Sequence, residues 1–229
     1  MSGATANAAV ARPETAADAC APSSPLNHGI VILVAAGIFA LIARGVATKK
    51  IHAIDQSARE AAQSLRTHAL DVAVKPVTIL SVLPLVASAT AALAFWLRHE
   101  RRAAAALATA VTPLVAAAAG QSFTTFLAQR NPPDRSDAPN GEVTEPSFPS
   151  GHTTGVTAEA LSIAYILSRE ELLSPAVLAG LLAWPLLVST ARLYRDRHWL
   201  SDILGGLAAG TAVAGATSLL YDVRKAKEA

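Results

Sequence analysis

Six long stretches of this chain are almost free of ionised side chains, and that pattern limits the fold more than any motif. Gly29–Ala43, Pro76–Leu97, Ala103–Gln129, Leu172–Ala191 and Ile203–Tyr221 contain no Asp, Glu, Lys or Arg, and Thr153–Ser168 contains only Glu159. About 20 apolar residues are needed to cross the hydrocarbon of a bilayer as a helix. Helices also satisfy their own backbone polar groups, which lipid cannot do. The pattern predicts an all-α, six-transmembrane-helix bundle over residues 29–221. A single buried soluble helix can look like one such segment, but six in one chain do not arise that way.

Composition agrees where it bears on the argument. Charged residues make up 16% and hydrophobic ones 52%, against about 25% charged in a soluble domain. A formal charge of +2 is too small to imply a nucleic-acid partner. Cys20 is the sole cysteine, so no intramolecular disulfide can form.

Residues 1–28 are rich in Ala, Ser, Pro and Thr and read as a disordered tail; 222–229 read as a short basic tail. Ile51, Ile54, Ala58, Ala61 and Leu65 recur at helical spacing with Asp55, Arg59, Glu60 and Arg66 between them, predicting an amphipathic helix in the membrane interface. Trp96, Trp184 and Trp199 are expected to mark interface levels. Gly206 and Gly210 form a small-xxx-small pair that permits close helix approach. Arg98, Arg101, Arg102, Arg224, Lys225 and Lys227 fall on one side of six spans. That side is then cytoplasmic, although Lys49 and Lys50 argue the other way.

Six spans carry a consequence for the remaining charges. The loops after the third and fifth spans must emerge together, and they hold Arg130, His152, Arg192, Arg195, Arg197, His198 and Asp202. Guanidinium groups bind phosphate oxygens in forks, and imidazoles transfer protons or phosphoryl groups. Ser150 and Gly151 open the fourth span, where free N–H groups and the helix dipole favour an anion. His198 and Asp202 are four residues apart, so on a helix their side chains can meet. A carboxylate on one ring nitrogen leaves the other free to attack.

Pro149-Ser150-Gly151-His152, followed by Arg192, His198 and Asp202 at the spacing Arg-x5-His-x3-Asp, resembles two motifs of the type 2 phosphatidic acid phosphatases. That superfamily also contains soluble acid phosphatases and vanadium haloperoxidases. The resemblance covers roughly residues 50–221. It implies a metal-independent lipid phosphatase with no cofactor and no obligatory protein partner. In that scheme His198 is the nucleophile and Asp202 orients it. His152 is the acid and base, and Arg192, Ser150 and the amide of Gly151 hold the phosphate. Expected substrates are polyprenyl diphosphates such as undecaprenyl diphosphate, phosphatidic acid or phosphatidylglycerol phosphate, hydrolysed at the extracytoplasmic face of the plasma membrane.

The family's first motif, Lys-x6-Arg-Pro, is altered here. With Pro133 on the motif proline, Thr125 falls at the lysine and Pro132 at the arginine, while Arg130 matches an additional family arginine. Arg130, Arg135, Arg195 and Arg197 are candidate substitutes, the last three also as headgroup contacts. A lipid-phosphate binding protein of the same fold, weak or inactive in catalysis, is the alternative reading, and haloperoxidase chemistry a remote third. Glu159 lies seven residues after His152 on the same helix face. A functional role and a hydrogen bond to a neighbouring helix both fit it.

Overall fold

A computed structural model describes residues 25–127, 130–135 and 146–228. Among these are eight α-helices and no strand: α1 (Pro25–Ala47), α2 (His52–Ser64), α3 (His68–Leu80), α4 (Leu83–His99), α5 (Ala103–Phe126), α6 (Gly151–Arg169), α7 (Pro175–Tyr194) and α8 (Leu200–Lys225). By length and apolarity α1, α5, α7 and α8 can each cross a membrane, and α3 with α4 forms a fifth such element bent by 51°. The bend falls where Pro84 enters α4, since proline has no N–H to continue the ladder. Large apolar side chains face outward along these helices, Leu33, Leu41 and Leu114 among them, as lipid allows and water does not. The sixth expected span is α6. It carries Glu159 and is largely buried among its neighbours.

The core is made close rather than bulky. α6 packs on α8 through Gly206 and Gly210; a Cβ on Gly210 would stand 2.6 Å from the carbonyl oxygen of Thr154. Buried hydroxyls link three helices: Ser162 of α6 meets Thr112 of α5 at 3.1 Å and Thr217 of α8 at 3.2 Å. Small residues and interhelical hydroxyl bonds are the usual means of joining helices in lipid, where apolar burial gives little drive.

One expectation changes. α1 begins at Pro25, ahead of the expected boundary at residue 29, because His28 is buried and pairs with Asp222 near the end of α8 at 2.8 Å. The rest of the expected tail, 1–24, lies outside the described residues. Trp199 is buried, its indole N–H donating to the carbonyl of Asn131 at 2.9 Å.

The amphipathic helix is α2, and its polar face is the one that docks. Ile54 and Leu65 are exposed while Asp55 is 1% exposed. Arg59 forms two hydrogen bonds to Asp196, at 2.8 and 2.6 Å. In a membrane interface the apolar stripe meets lipid, which leaves the polar stripe to the protein.

Candidate active site

The ends of α5 and α7 and the starts of α6 and α8 come together at one end of the bundle. Local sequence sets each start. Ser150 caps α6, its hydroxyl accepting the N–H of Thr153 at 3.4 Å. Trp199 cannot cap α8 with its side chain, so Asp202 reaches back to the Trp199 N–H at 2.9 Å. Asp55 of α2 takes the Ser201 N–H at 2.8 Å. Two carboxylates thus satisfy free N–H groups at a helix N-terminus, where the dipole also favours them.

His152, His198, Arg192, Arg197 and Gly151 line a single cavity of about 220 Å³, with prolines 132, 146 and 149 and Ser147 completing the wall. The loop segment 146–150 is anchored by Phe148, which is fully buried, and by the Ser147 N–H donating to the Arg130 carbonyl at 2.9 Å. Arg192 projects from the last turn of α7. Among the described residues no carboxylate pairs with its half-buried guanidinium. Arg197 is tethered to Asp134 at 3.0 Å and remains partly exposed.

Asp202 is fully buried behind His198, with Oδ2 3.6 Å from the ring Nδ1. That is ion-pair range and longer than a hydrogen bond. Nδ1 is buried and has no hydrogen-bond partner among the described residues, so the pair needs only a small adjustment to bond. His152 opens α6, and its pKa is pushed down to about 4, first by burial and then by the charges of Arg192, His198 and Arg197. The cavity is therefore strongly cationic, with its balancing carboxylate set back in the wall.

Other expected site residues lie elsewhere. Arg130 does not line the cavity; its guanidinium is bound to Asp202 at 2.6 Å and Asp55 at 2.8 Å, and also to the Ser201 hydroxyl. Ser150 is fully buried and spends its hydroxyl on the cap. Arg195 is exposed at the end of α7. The side chains of Thr125 and Arg135 lie outside the described residues. Pro132 lines the cavity, at the position where the resemblance places an arginine. Asp55 and Ser201 were not anticipated as part of the site, and the burial of a charged residue on the polar face of α2 leaves no local signature.

A second cavity of about 270 Å³ shares Gly151 and His152 with the first and continues between α4, α5 and α6 to Glu159. It meets a third, of about 450 Å³, at Val86, Val156 and Glu159. Both are walled mainly by apolar side chains. At their junction Glu159 accepts a hydrogen bond from Thr90 at 2.9 Å, one of the two roles its position allowed.

A family model described as the PAP2 superfamily matches residues 105–226, more than half of the chain. The chain belongs to the PAP2 superfamily. The matched segment runs from α5 to α8 and includes every residue of the first cavity. Among solved structures, the chain is similar to the first transmembrane PAP2-type phosphatidylglycerolphosphate phosphatase from Bacillus subtilis. The TM-score is 0.68 at 20% identity, covering 86% of this chain and 95% of that one. At that identity the likeness establishes a shared fold. No curated protein matches the chain.

Proposed function

We propose that this PAP2 protein is an integral-membrane lipid phosphatase that cleaves a phosphate monoester or diphosphate through a phosphohistidine. The observation that carries the reading is the convergence of His152, His198 and Arg192 on one cavity that shares Gly151 and His152 with the wall of an apolar cleft. The polar end suits a phosphate, and the cleft suits a hydrocarbon tail.

In the first step Nε2 of His198 attacks phosphorus and the bond to the leaving oxygen breaks. His152, protonated once the phosphate dianion offsets the surrounding cations, gives that oxygen its proton. In the second step His152 takes a proton from water as the water oxygen attacks phosphorus. The P–N bond breaks, releasing inorganic phosphate and neutral His198. Asp202 stabilises the imidazolium character that develops on His198. Arg192, Arg197 and the N–H groups at the start of α6 stabilise the equatorial oxygens. All of these steps are carried by side chains, so the reaction proceeds without added metal.

We assign residues 153–168 of α6 as the sixth span, with Glu159 facing the cleft instead of lipid. The basic residues of the opposite end, Arg98, Arg101, Arg102, Arg224, Lys225 and Lys227, favour both termini in the cytoplasm. The site then faces the extracytoplasmic side of the plasma membrane. The substrate class comprises phosphatidylglycerol phosphate, phosphatidic acid and polyprenyl diphosphate.

Purified protein in detergent should release phosphate from one of these lipids in the presence of EDTA and be inhibited by vanadate. His198→Ala should abolish release. Equal rates for wild type and His198→Ala would overturn the assignment of the nucleophile. The position of Pro132 in the cavity wall favours a second reading, a lipid-phosphate binding protein with little turnover. Vanadate binding without phosphate release from any lipid of the class would select it.

A further inference from the structure

Arg130 and Asp55 are both removed from the cavity, yet Arg130 is tied directly to the carboxylate behind His198 and Asp55 is tied to Arg130. Arg130 donates from Nε and Nη2 to Oδ1 of Asp202, at 3.2 and 2.6 Å. It donates from Nη1 to Oδ2 of Asp55 at 2.8 Å and lies over the Trp199 ring at 5.5 Å. Asp55 also accepts the N–H and the hydroxyl of Ser201, at 2.8 and 2.7 Å. Both carboxylates are essentially inaccessible, at 1% and 0% exposure. With Oδ1 held by Arg130 and Oδ2 held by the Trp199 N–H, Asp202 has one orientation, and it turns Oδ2 toward His198.

We infer that Asp55 and Arg130 are positioning residues that fix Asp202 and set the charge His198 sees, so that the interface helix α2 is part of the catalytic apparatus. This rests on the phosphohistidine reading above. The argument is one of charge and geometry. His198 faces His152 from α6, Arg192 from α7, Arg197 from its own loop and Asp202 from α8, with Arg130 and Asp55 behind. Asp55, Arg130 and Asp202 sum to one negative charge. Loss of Asp55 brings that sum to zero, and loss of Arg130 brings it to two negative charges. The two losses should therefore move protonation of His198 in opposite directions. A role confined to holding α2 in place gives no such sign reversal.

The test is the titration of the His198 imidazole, followed by NMR in histidine-labelled full-length protein in detergent. Its resonance is assigned by its absence in His198→Ala. Asp55→Asn should lower the midpoint by about half to one pH unit, and Arg130→Gln should raise it by a similar amount. The double variant should return most of the way to wild type, and Arg130→Lys, which keeps the charge, should stay near it. Shifts of the same sign, or none, in variants that keep the wild-type thermal midpoint would overturn the proposal. Should Asp55→Asn not fold, the contrast of Arg130→Gln with Arg130→Lys decides alone. In the active enzyme the acid limb of kcat/KM should follow the same signs, with KM little changed. Wild-type protein lacking phosphate release would overturn the phosphatase reading, while the titration would still decide the positioning role.

Discussion

The backbone N–H of Ser150 donates to the carbonyl oxygen of Asp202 at 3.0 Å, joining the first turn of α6 to the first turn of α8. This bond holds the helix that carries His152 in register with the one that carries Asp202. It is possible because the two backbones approach closely just below it. At Gly206 an added Cβ would stand 2.9 Å from the Ser150 carbonyl oxygen, and at Gly210 2.6 Å from that of Thr154.

Gly210→Ala should therefore destabilise the protein by about 1–3 kcal/mol, because the obstacle is backbone and cannot swing aside. Gly206→Ala should in addition lower activity, since it presses on the turn that presents His152. Gly180→Ala in α7, where a Cβ meets nothing within 4 Å, should be neutral or slightly stabilising. Thermal unfolding in detergent ranks the three. Equal midpoints for Gly210→Ala and Gly180→Ala would contradict the close-packing account.

Much of this arrangement was legible in the sequence, and the part that was not has a physical cause. The expected spans at residues 103–129, 153–168, 172–191 and 203–221 coincide with α5, α6, α7 and α8 to within four residues at each end, because apolar residue type records burial in lipid or protein. The convergence of His152, Arg192 and His198 followed from counting helix ends. Asp55 did not follow. An amphipathic pattern says that one face of α2 is apolar; it does not say which face meets the bundle. The contact with Ser201 also spans 146 residues of sequence. The role expected for Arg130 suffered similarly, since a basic residue near the site reads as a phosphate ligand until its buried carboxylate partners are known.

At the opposite end of the bundle, Glu170 joins three helices. It accepts from Tyr221 at 2.7 Å and Lys225 at 2.9 Å on one oxygen, and from Arg102 at 2.6 Å on the other. Burial alone raises its pKa, but the donors from Tyr221, Lys225 and Arg102 outweigh burial and hold it below the usual carboxylate range. A depressed carboxyl contributes stability above its unfolded pKa and loses it as pH falls through the lower folded value. Glu170→Gln should therefore cost about 1–3 kcal/mol near neutral pH and flatten the loss of stability on acidification. Unfolding midpoints of the variant that track wild type from neutral pH down to about pH 3 would refute it.

The three arginines around the end of α7 should separate by activity. Arg192 and Arg197 line the cavity, and among the described residues no carboxylate pairs with Arg192, whereas Arg197 has Asp134. Removing a preorganised donor to a transferring phosphoryl group costs about 10²–10³ in rate, so Arg192→Ala should fall in that range. Arg197→Ala should cost about tenfold, since solvent screens a half-exposed cation. Arg195, outside the cavity wall, should change kcat/KM by less than about threefold on substitution by alanine. A loss for Arg195→Ala as large as that for Arg192→Ala would mean the phosphate lies elsewhere.

Anion binding should be accompanied by proton uptake at His152. Without an anion its pKa is pushed down to about 4, by burial and then by Arg192, His198 and Arg197, so at about pH 6 the ring is neutral. A doubly charged anion between those cations offsets their field and favours the imidazolium, which raises the pKa. Between the two values, binding must draw a proton from solution. Sulfate carries no proton of its own in this range, so calorimetric titration in buffers of different ionisation enthalpy reads the uptake directly. Wild type should take up a fraction of a proton per sulfate, and His152→Ala should take up measurably less. The same depression makes the neutral ring a source of stability above about pH 6.5, lost as pH falls toward the folded value. Sulfate should lessen that acid loss more in wild type than in the variant, which keeps the cations but lacks the proton acceptor. Binding heats that do not depend on the buffer would show that His152 does not gain a proton on binding, and would remove it as the proton donor to the leaving group.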